Sequence, residues 1–238
     1  MNDLRKIGLL GASGRMGRTI AELVGTTYSK QATMAESVDM QRGCMEDFAG
    51  VDAIIDFSLP AGTASLLDWM ESREGPLPAV VCGTTGLDDS LLERLRRLGQ
   101  RTRVIQANNF SPGIAALTSI LHFAAPVLRK LGYAAKMTDI HHVHKKDAPS
   151  GTAITLARAM DPEHPESTEI SSVREGEVIG AHDVVFEGSS DRITIGHEAL
   201  NRDLFARGAI EAALWLCGLE ENTGIFTMNE YFERRYLS

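Results

Sequence analysis

Along the first half of the chain, short apolar runs alternate with stretches in which apolar residues recur every three or four positions. Ile7-Gly8-Leu9-Leu10, Met34 to Val38, Ala53 to Phe57, Ala79 to Cys82 and Val104-Ile105 read as strands. Met16, Ile20, Leu23 and Val24 mark a first helix, and Leu66, Leu67 and Met70 a second after Pro60. Leu91, Leu92, Leu95 and Leu98 mark a third, which stops at Gly99, a common helix-ending residue. Strands alternating with helices predict a parallel sheet covered on both faces.

The pattern changes at Ser111-Pro112-Gly113. Ser111 as N-cap and Pro112 at the first helical position start a long helix to about Lys130. Beyond it Met137 to Val143, Ile170 to Val173, Val184 to Glu187 and Arg192 to His197 alternate as strands, with one helix from Ser150 to about Met160. Strands without regular intervening helices predict an open, mainly antiparallel sheet, an α+β domain. Leu204 to Cys217 is again strongly helical, and its periodicity does not say which domain it joins.

With 238 residues the chain suits one large domain or two modest ones. A net charge of −8 argues against a nucleic-acid surface. The three cysteines form no C-x-x-C pair, a reduced, cytosolic pattern without a disulfide frame or zinc site. No secretory signal is read at the N-terminus. The longest apolar stretch, Gly113 to Leu128, is interrupted by His122 and Pro126, so no membrane span is expected.

Gly11-Ala12-Ser13-Gly14-Arg15-Met16-Gly17 follows a strand and opens a helix. Gly11 permits the sharp turn, Gly14 lets backbone approach a pyrophosphate, and Gly17 lets the helix pack close to the sheet. Helix-start N–H groups then hold the phosphates, and Arg15 adds charge. Asp39, 22 residues past Gly17, is placed to accept hydrogen bonds from an adenosine ribose, with Glu36 as the rival if the register differs.

The densest chemistry lies in Asp139 to Thr152. Three of the seven histidines and two lysines fall within six residues, His141 to Lys146, of an acidic protein. Such a patch focuses an anionic substrate. A histidine there donates a proton near neutral pH, and Lys145 clamps a carboxylate or polarises an imine. Ser150-Gly151-Thr152 opens a helix whose N–H groups suit a carboxylate. Metal binding by His141, His142 and His144 is not expected, since no Cys or carboxylate cluster accompanies them.

These motifs, with Asp56-Phe57-Ser58, Gly83-Thr84-Thr85-Gly86, Asn109-Phe110-Ser111-Pro112-Gly113 and Asn201 to Ala209, make the chain resemble the dihydrodipicolinate reductase family nearly end to end. The block His141 to Thr152 is highly specific to it. The resemblance implies a Rossmann-like α/β dinucleotide-binding domain, 1–111 with 201–238. It also implies a smaller α+β domain with a mixed sheet, 112–200, that binds substrate and forms a homotetramer. The implied reaction is NADH- or NADPH-dependent reduction of a cyclic imine dicarboxylate, after water loss from 4-hydroxy-tetrahydrodipicolinate, in cytoplasmic diaminopimelate and lysine biosynthesis. Carried over by position, Gly11, Ala12, Ser13, Gly14, Arg15 and Met16 hold the pyrophosphate and Asp39 the ribose. Gly83, Thr84, Thr85, Ala107, Asn108, Asn109 and Phe110 line the nicotinamide pocket. His141 is the general acid, Lys145 a second proton donor and carboxylate contact, and His142, Gly151 and Thr152 bind substrate carboxylates. No metal, nucleic acid or membrane is implied.

Three departures stand out. Met40 occupies a place where many members carry an arginine suited to a 2′-phosphate, although Arg42 is near, so the lean is to dual use favouring NADH. The Gln41 to Asp52 stretch is short, and Asp139 stands where glutamate is common. Competing readings are another two-domain amino-acid or semialdehyde dehydrogenase, or a non-catalytic nucleotide-binding regulator; the His-His-x-His-Lys block argues against both.

Overall fold

The structure is a computed structural model that describes residues 4–39 and 43–237. Met40 and Arg42, on which the cofactor lean rests, lie outside the described residues. The chain forms two compact units, Met1–Phe110 with Phe205–Ser238, and Ser111–Leu204.

The first unit is an α/β layer structure. Its strands are β1 (Arg5–Leu10), β2 (Ala32–Val38), β3 (Ala53–Asp56), β4 (Ala79–Cys82), β5 (Arg103–Gln106) and β10 (Gly224–Phe226), in the parallel order β10-β5-β4-β3-β1-β2. β3 and β4 are fully buried, as continuous apolar strands in a sheet covered on both faces must be. One face packs under α1 (Arg15–Gly25), α6 (Asp203–Gly218) and α7 (Met228–Tyr236), through Ile20, Leu23, Ala209, Ala213, Leu216 and Tyr231. The other packs under α2 (Pro60–Ser72) and α3 (Asp89–Leu98), through Leu66, Met70, Leu95 and Leu98. Buried alanines at 206, 209, 212 and 213 give α6 a smooth face against this core.

α3 begins at its N-cap Asp88, whose carboxylate accepts from the Leu91 N–H, and it ends at Gly99. Gly99 is needed for a different reason from the one expected. Its backbone is right-handed helical, with φ −59°, and a Cβ there would stand 2.5 Å from the Ile225 side chain.

The second unit stacks α4 (Pro112–Lys130) and α5 (Gly151–Met160) on a mixed sheet of β6 (Ala134–His141), β7 (Glu169–Arg174), β8 (Ala181–Glu187) and β9 (Arg192–Glu198), ordered β7-β6-β8-β9. β6 and β7 are parallel because α5 carries the crossover between them; the other two pairs are antiparallel. The core joins Leu117, Leu121, Met137, Ala153, Leu156, Val184 and Phe186.

One expectation is corrected here. β6 stops at His141, and the exposed Val143 lies in the following turn. α4 runs through His122 and Pro126 as one helix of 19 residues, long and apolar enough by length and composition alone to cross a membrane, a test that the core helix of a soluble protein also passes. A helical proline loses one hydrogen bond, which the rest of a long helix tolerates here. Leu117, Leu121 and Ala125 on α4 are buried in the core of this unit.

Candidate active site

In the first unit the anticipated nucleotide-binding residues gather at the C-terminal edge of the parallel sheet, where ligands of doubly wound sheets bind. Each strand's end is laced to its neighbour by one further backbone hydrogen bond. The N–H of Gly11 donates to the Val38 carbonyl, Phe57 to Leu10, Gly83 to Asp56, and Ala107 to Cys82, at 2.8–3.1 Å. Four loops, carrying Gly11, Phe57, Gly83 and Ala107, are thereby held in one rank. Asp39 stands just past the end of β2, while Glu36 pairs opposite Gly8 inside the strand, so the register favours Asp39.

The glycines differ in what they do. Gly11 has φ +87°, and a Cβ on it would meet the Phe57 carbonyl oxygen at 2.6 Å. A Cβ on Gly17 would lie 2.3 Å from the Gly11 carbonyl oxygen, so close packing of helix on turn excludes any side chain. A Cβ on the exposed Gly14 would approach only the Gly11 oxygen, at 3.2 Å, so the protein's own packing leaves that side of the turn open. Gly14 is also the N-cap of α1 and brings no capping side chain. An uncapped helix start beside an open backbone face fits a dinucleotide pyrophosphate. The Arg18 guanidinium donates to the Ser13 carbonyl at 2.7 Å and braces the turn, a role the sequence reading did not assign.

Asp56 organises the adjoining loops. Its fully buried carboxylate accepts from the Ser58 N–H (2.9 Å), the Ser58 hydroxyl (2.6 Å), Thr63 (2.6 Å) and Thr84 (3.0 Å). The buried Thr84 hydroxyl is thus committed to the scaffold, and exposed Thr85 carries the accessible hydroxyl of that loop. The Phe57 and Phe110 rings lie 5.6 Å apart, tilted, and a Cβ on Gly83 would strike the Phe57 ring at 2.4 Å. Ala107 and Asn109 are half-buried and Asn108 is exposed.

In the second unit the apolar sheet face turns polar at one end. Register places Ser172, Asp139, His182 and His197 side by side across all four strands. Asp139 is fully buried. Its Oδ2 accepts from the Ser150 N–H (2.9 Å), Arg174 (3.1 Å) and Ser172 (3.3 Å). Its Oδ1 faces two imidazole nitrogens, His141 Nδ1 at 3.0 Å and His182 Nε2 at 3.3 Å. Both lie at close polar distance but outside the angles of a directed hydrogen bond. Burial pushes the Asp139 carboxyl up, but His141, His182 and Ser150 outweigh it and hold the group well below the usual carboxylate range.

Ser150 caps α5 by accepting from the Ala153 N–H, and its hydroxyl lies 3.2 Å from His182 Nε2. Lys145 Nζ pairs with Asp147 at 2.9 Å. Burial raises the Asp147 carboxyl, yet Lys145 and the Gly151 N–H bring it below its ordinary value. The ammonium and helix start expected to seat a substrate carboxylate therefore hold an internal one. His142 is half-buried, and burial together with Arg202 lowers its pKa, so it presents a neutral imidazole rather than a charge. Thr152 is buried in the first turn of α5.

Asp139, His141 and His182 are also of metal-ligating type, with ligand atoms within 4.8 Å of one another. This is a different set from the loop histidines weighed in the sequence. The Arg174 guanidinium on the same carboxylate opposes a second cation there. The sequence reading missed Arg174 and His182 because only strand register brings them to Asp139.

Comparison with known proteins agrees with this architecture. The family model for dihydrodipicolinate reductase, N-terminus, matches residues 5–110, and that for dihydrodipicolinate reductase, C-terminus, matches residues 113–232. A curated 4-hydroxy-tetrahydrodipicolinate reductase from Xanthomonas euvesicatoria pv. vesicatoria is 38% identical over 225 residues, covering 90% of this chain and 92% of its own. That from Xylella fastidiosa strain M23 is 38% identical over 230 residues, covering 92% and 95%. Among solved structures, dipicolinate-bound dihydrodipicolinate reductase from Paenisporosarcina sp. TG-14 superposes with a TM-score of 0.73 at 19% identity, covering 96% of this chain and 99% of that one. C. glutamicum DAP dehydrogenase in complex with DAP shares the fold at a TM-score of 0.59 and 13% identity, covering 98% and 96%. Two matching family models and relatives alike over nine-tenths of the chain establish that it belongs to the dihydrodipicolinate reductase family, as a nicotinamide-dependent oxidoreductase of the 4-hydroxy-tetrahydrodipicolinate reductase type on the route to diaminopimelate and lysine.

Proposed function

We propose that residues 1–111 with 201–238 bind the dinucleotide and that residues 112–200 bind the cyclic dicarboxylate and supply its proton. Bound NADH or NADPH supplies the hydride, delivered to an electron-poor carbon of the conjugated imine left after water loss from 4-hydroxy-tetrahydrodipicolinate. Gly11, Ala12, Ser13, Gly14, Arg15 and Met16 hold the pyrophosphate, and Asp39 takes the adenosine ribose. Gly83, Thr84, Thr85, Ala107, Asn108, Asn109 and Phe110 line the nicotinamide site, Thr84 through its backbone because its hydroxyl serves Asp56.

His141 protonates the electron-rich side of the product. Lys145 leaves Asp147 to contact a substrate carboxylate and acts as a second proton donor. His142, as a neutral donor, and the Gly151 and Thr152 N–H groups complete the anion site. The observation that carries this reading is His141 itself: a buried imidazole against a buried carboxylate, on a strand that leads directly into Lys145 and the start of α5.

We further propose dual cofactor use favouring NADH, a cytoplasmic location, and a homotetramer assembled through residues 112–200. The exposed Ile120, Phe123 and Val127 on α4 support an assembly surface in that unit, which light scattering of the purified protein tests. Following oxidation of NADH and NADPH with enzymatically generated substrate tests the reaction and gives both Michaelis constants. A large NADPH preference refutes the lean to NADH. His141→Gln should lower turnover on the order of a hundredfold or more with cofactor affinity near normal; unchanged turnover refutes the acid.

A further inference from the structure

We propose that Asp139 is the positioning residue of His141: it holds the Nδ1–H of the imidazole, so that Nε2 is the atom that carries the proton to the substrate. The inference rests on the reading of His141 as the acid and adds how that acid is oriented and charged.

His141 Nδ1 has one neighbour of opposite charge, Asp139 Oδ1 at 3.0 Å, and is otherwise sealed from solvent. A buried N–H needs an acceptor, and this carboxylate oxygen is the one in reach. The Nε2 side differs. A Cβ on Gly180 would stand 3.0 Å from His141 Nε2, so the missing side chain at 180 keeps that edge of the ring uncrowded.

His182 shares Oδ1 with His141 but cannot play the same part. Its Nε2 faces Asp139 and the Ser150 hydroxyl, while its Nδ1 is buried without a partner. A charged imidazolium would leave a donor stranded at Nδ1, whereas a neutral ring leaves only a lone pair. His182 therefore acts as a neutral strut that seats the carboxylate from β8. Arg174 from β7 and the Ser150 N–H fix Oδ2, so the carboxylate cannot turn away from His141.

The charged and titratable groups around His141 are thus Asp139 on its own strand, Arg174 on β7, His182 on β8 with His197 beyond it on β9, and His142, His144, Lys145 and Asp147 in the following loop. Of these, Asp139 alone combines a negative charge with direct contact to the imidazole, so it is the group placed to hold the ring.

A double-mutant cycle on the full-length enzyme tests this, reading kcat and kcat/KM against pH and NADH binding by fluorescence titration. Asp139→Asn is expected to lower kcat by about 10- to 100-fold, the range for carboxylates that orient a functional histidine. The alkaline fall in kcat/KM should begin at lower pH, NADH affinity should stay unchanged, and Asp139→Glu should recover most of the loss. In the His141→Gln background, Asp139→Asn should cost almost nothing further, because it acts through the ring already removed. Gly180→Ala, which alters no charge, should lower kcat with little change in the pH profile. The inference is overturned if Asp139→Asn leaves kcat and its pH profile unchanged, or if its full loss persists when His141 is gone. Unaltered turnover in His141→Gln alone would instead overturn the acid assignment beneath it.

Discussion

Removal of the Asp56 carboxylate offers the sharpest test of how the nicotinamide loops are held. Four strong donors converge on this fully buried group, the Ser58 N–H and hydroxyl, Thr63 and Thr84, with the Cys82 thiol a weaker fifth at 3.7 Å. Asp56→Ala leaves all four without their acceptor. The Thr63 and Thr84 side chains are themselves buried, so water replaces little of what is lost. Stranding a buried donor costs about 1–3 kcal/mol. Ser58 is only half-buried and recovers part of its loss, and removal of the carboxylate relieves its own desolvation. The expected net loss is about 4 kcal/mol. Asp56→Asn keeps an oxygen for three of the donors and forfeits mainly charge assistance, about 2 kcal/mol. Urea unfolding of both variants gives these differences, and the NADH Michaelis constant reports the loops. It should rise severalfold in Asp56→Ala, since Ser58 and Thr84 are no longer pinned, and less in Asp56→Asn, which keeps their acceptor oxygen, while turnover at saturating NADH changes less. An Asp56→Ala protein within about 1 kcal/mol of the parent, with an unaltered constant, would show that the loops do not depend on this carboxylate.

Gly17→Ala forces a Cβ against backbone of the glycine turn and should cost about 1–3 kcal/mol in urea unfolding, with NADH affinity at least tenfold weaker by fluorescence titration. Gly25→Ala, at the end of the same helix with open space around the new methyl, should instead stabilise by about 0.5 kcal/mol and leave NADH binding unchanged. The depressed Asp139 carboxyl predicts a sign for acid stability. Its contribution is complete above the unfolded value of about 3.9 and is lost as pH falls below it, because the unfolded chain takes up the proton first. The parent's unfolding midpoint should therefore drop steadily as pH falls below about 4, and Asp139→Asn should flatten that slope.

Most of the architecture was legible because it is written in local chemistry. Ser111 and Ser150 stand at helix starts by type and neighbours alone, and each accepts from the N–H three residues on. α7 escaped attention although Thr227 and Glu230 form a reciprocal capping box, a signal the pattern contained. β10, three residues long, is below what periodicity resolves. The candidate site was legible as a list of residues but not as a set of partnerships. His141 and Lys145 stand out by density, yet Arg174 and His182 reach Asp139 only through cross-strand register. The capture of Lys145 by Asp147 and of Thr84 by Asp56 depends on side-chain reach within the fold, so the sequence shows these residues as available when they are engaged.

The position of α6 bears on the order in which this protein acquires its structure during synthesis. The core of the first unit is completed by Ala206, Ala209, Ala213 and Leu216, which the ribosome delivers after every residue of the second unit. The later-numbered unit is therefore the one able to finish first, while the amino-terminal sheet waits with Ile20 and Leu23 short of their packing partners. A released chain truncated near residue 204 would carry one completed unit and one bare apolar face, a state open to aggregation.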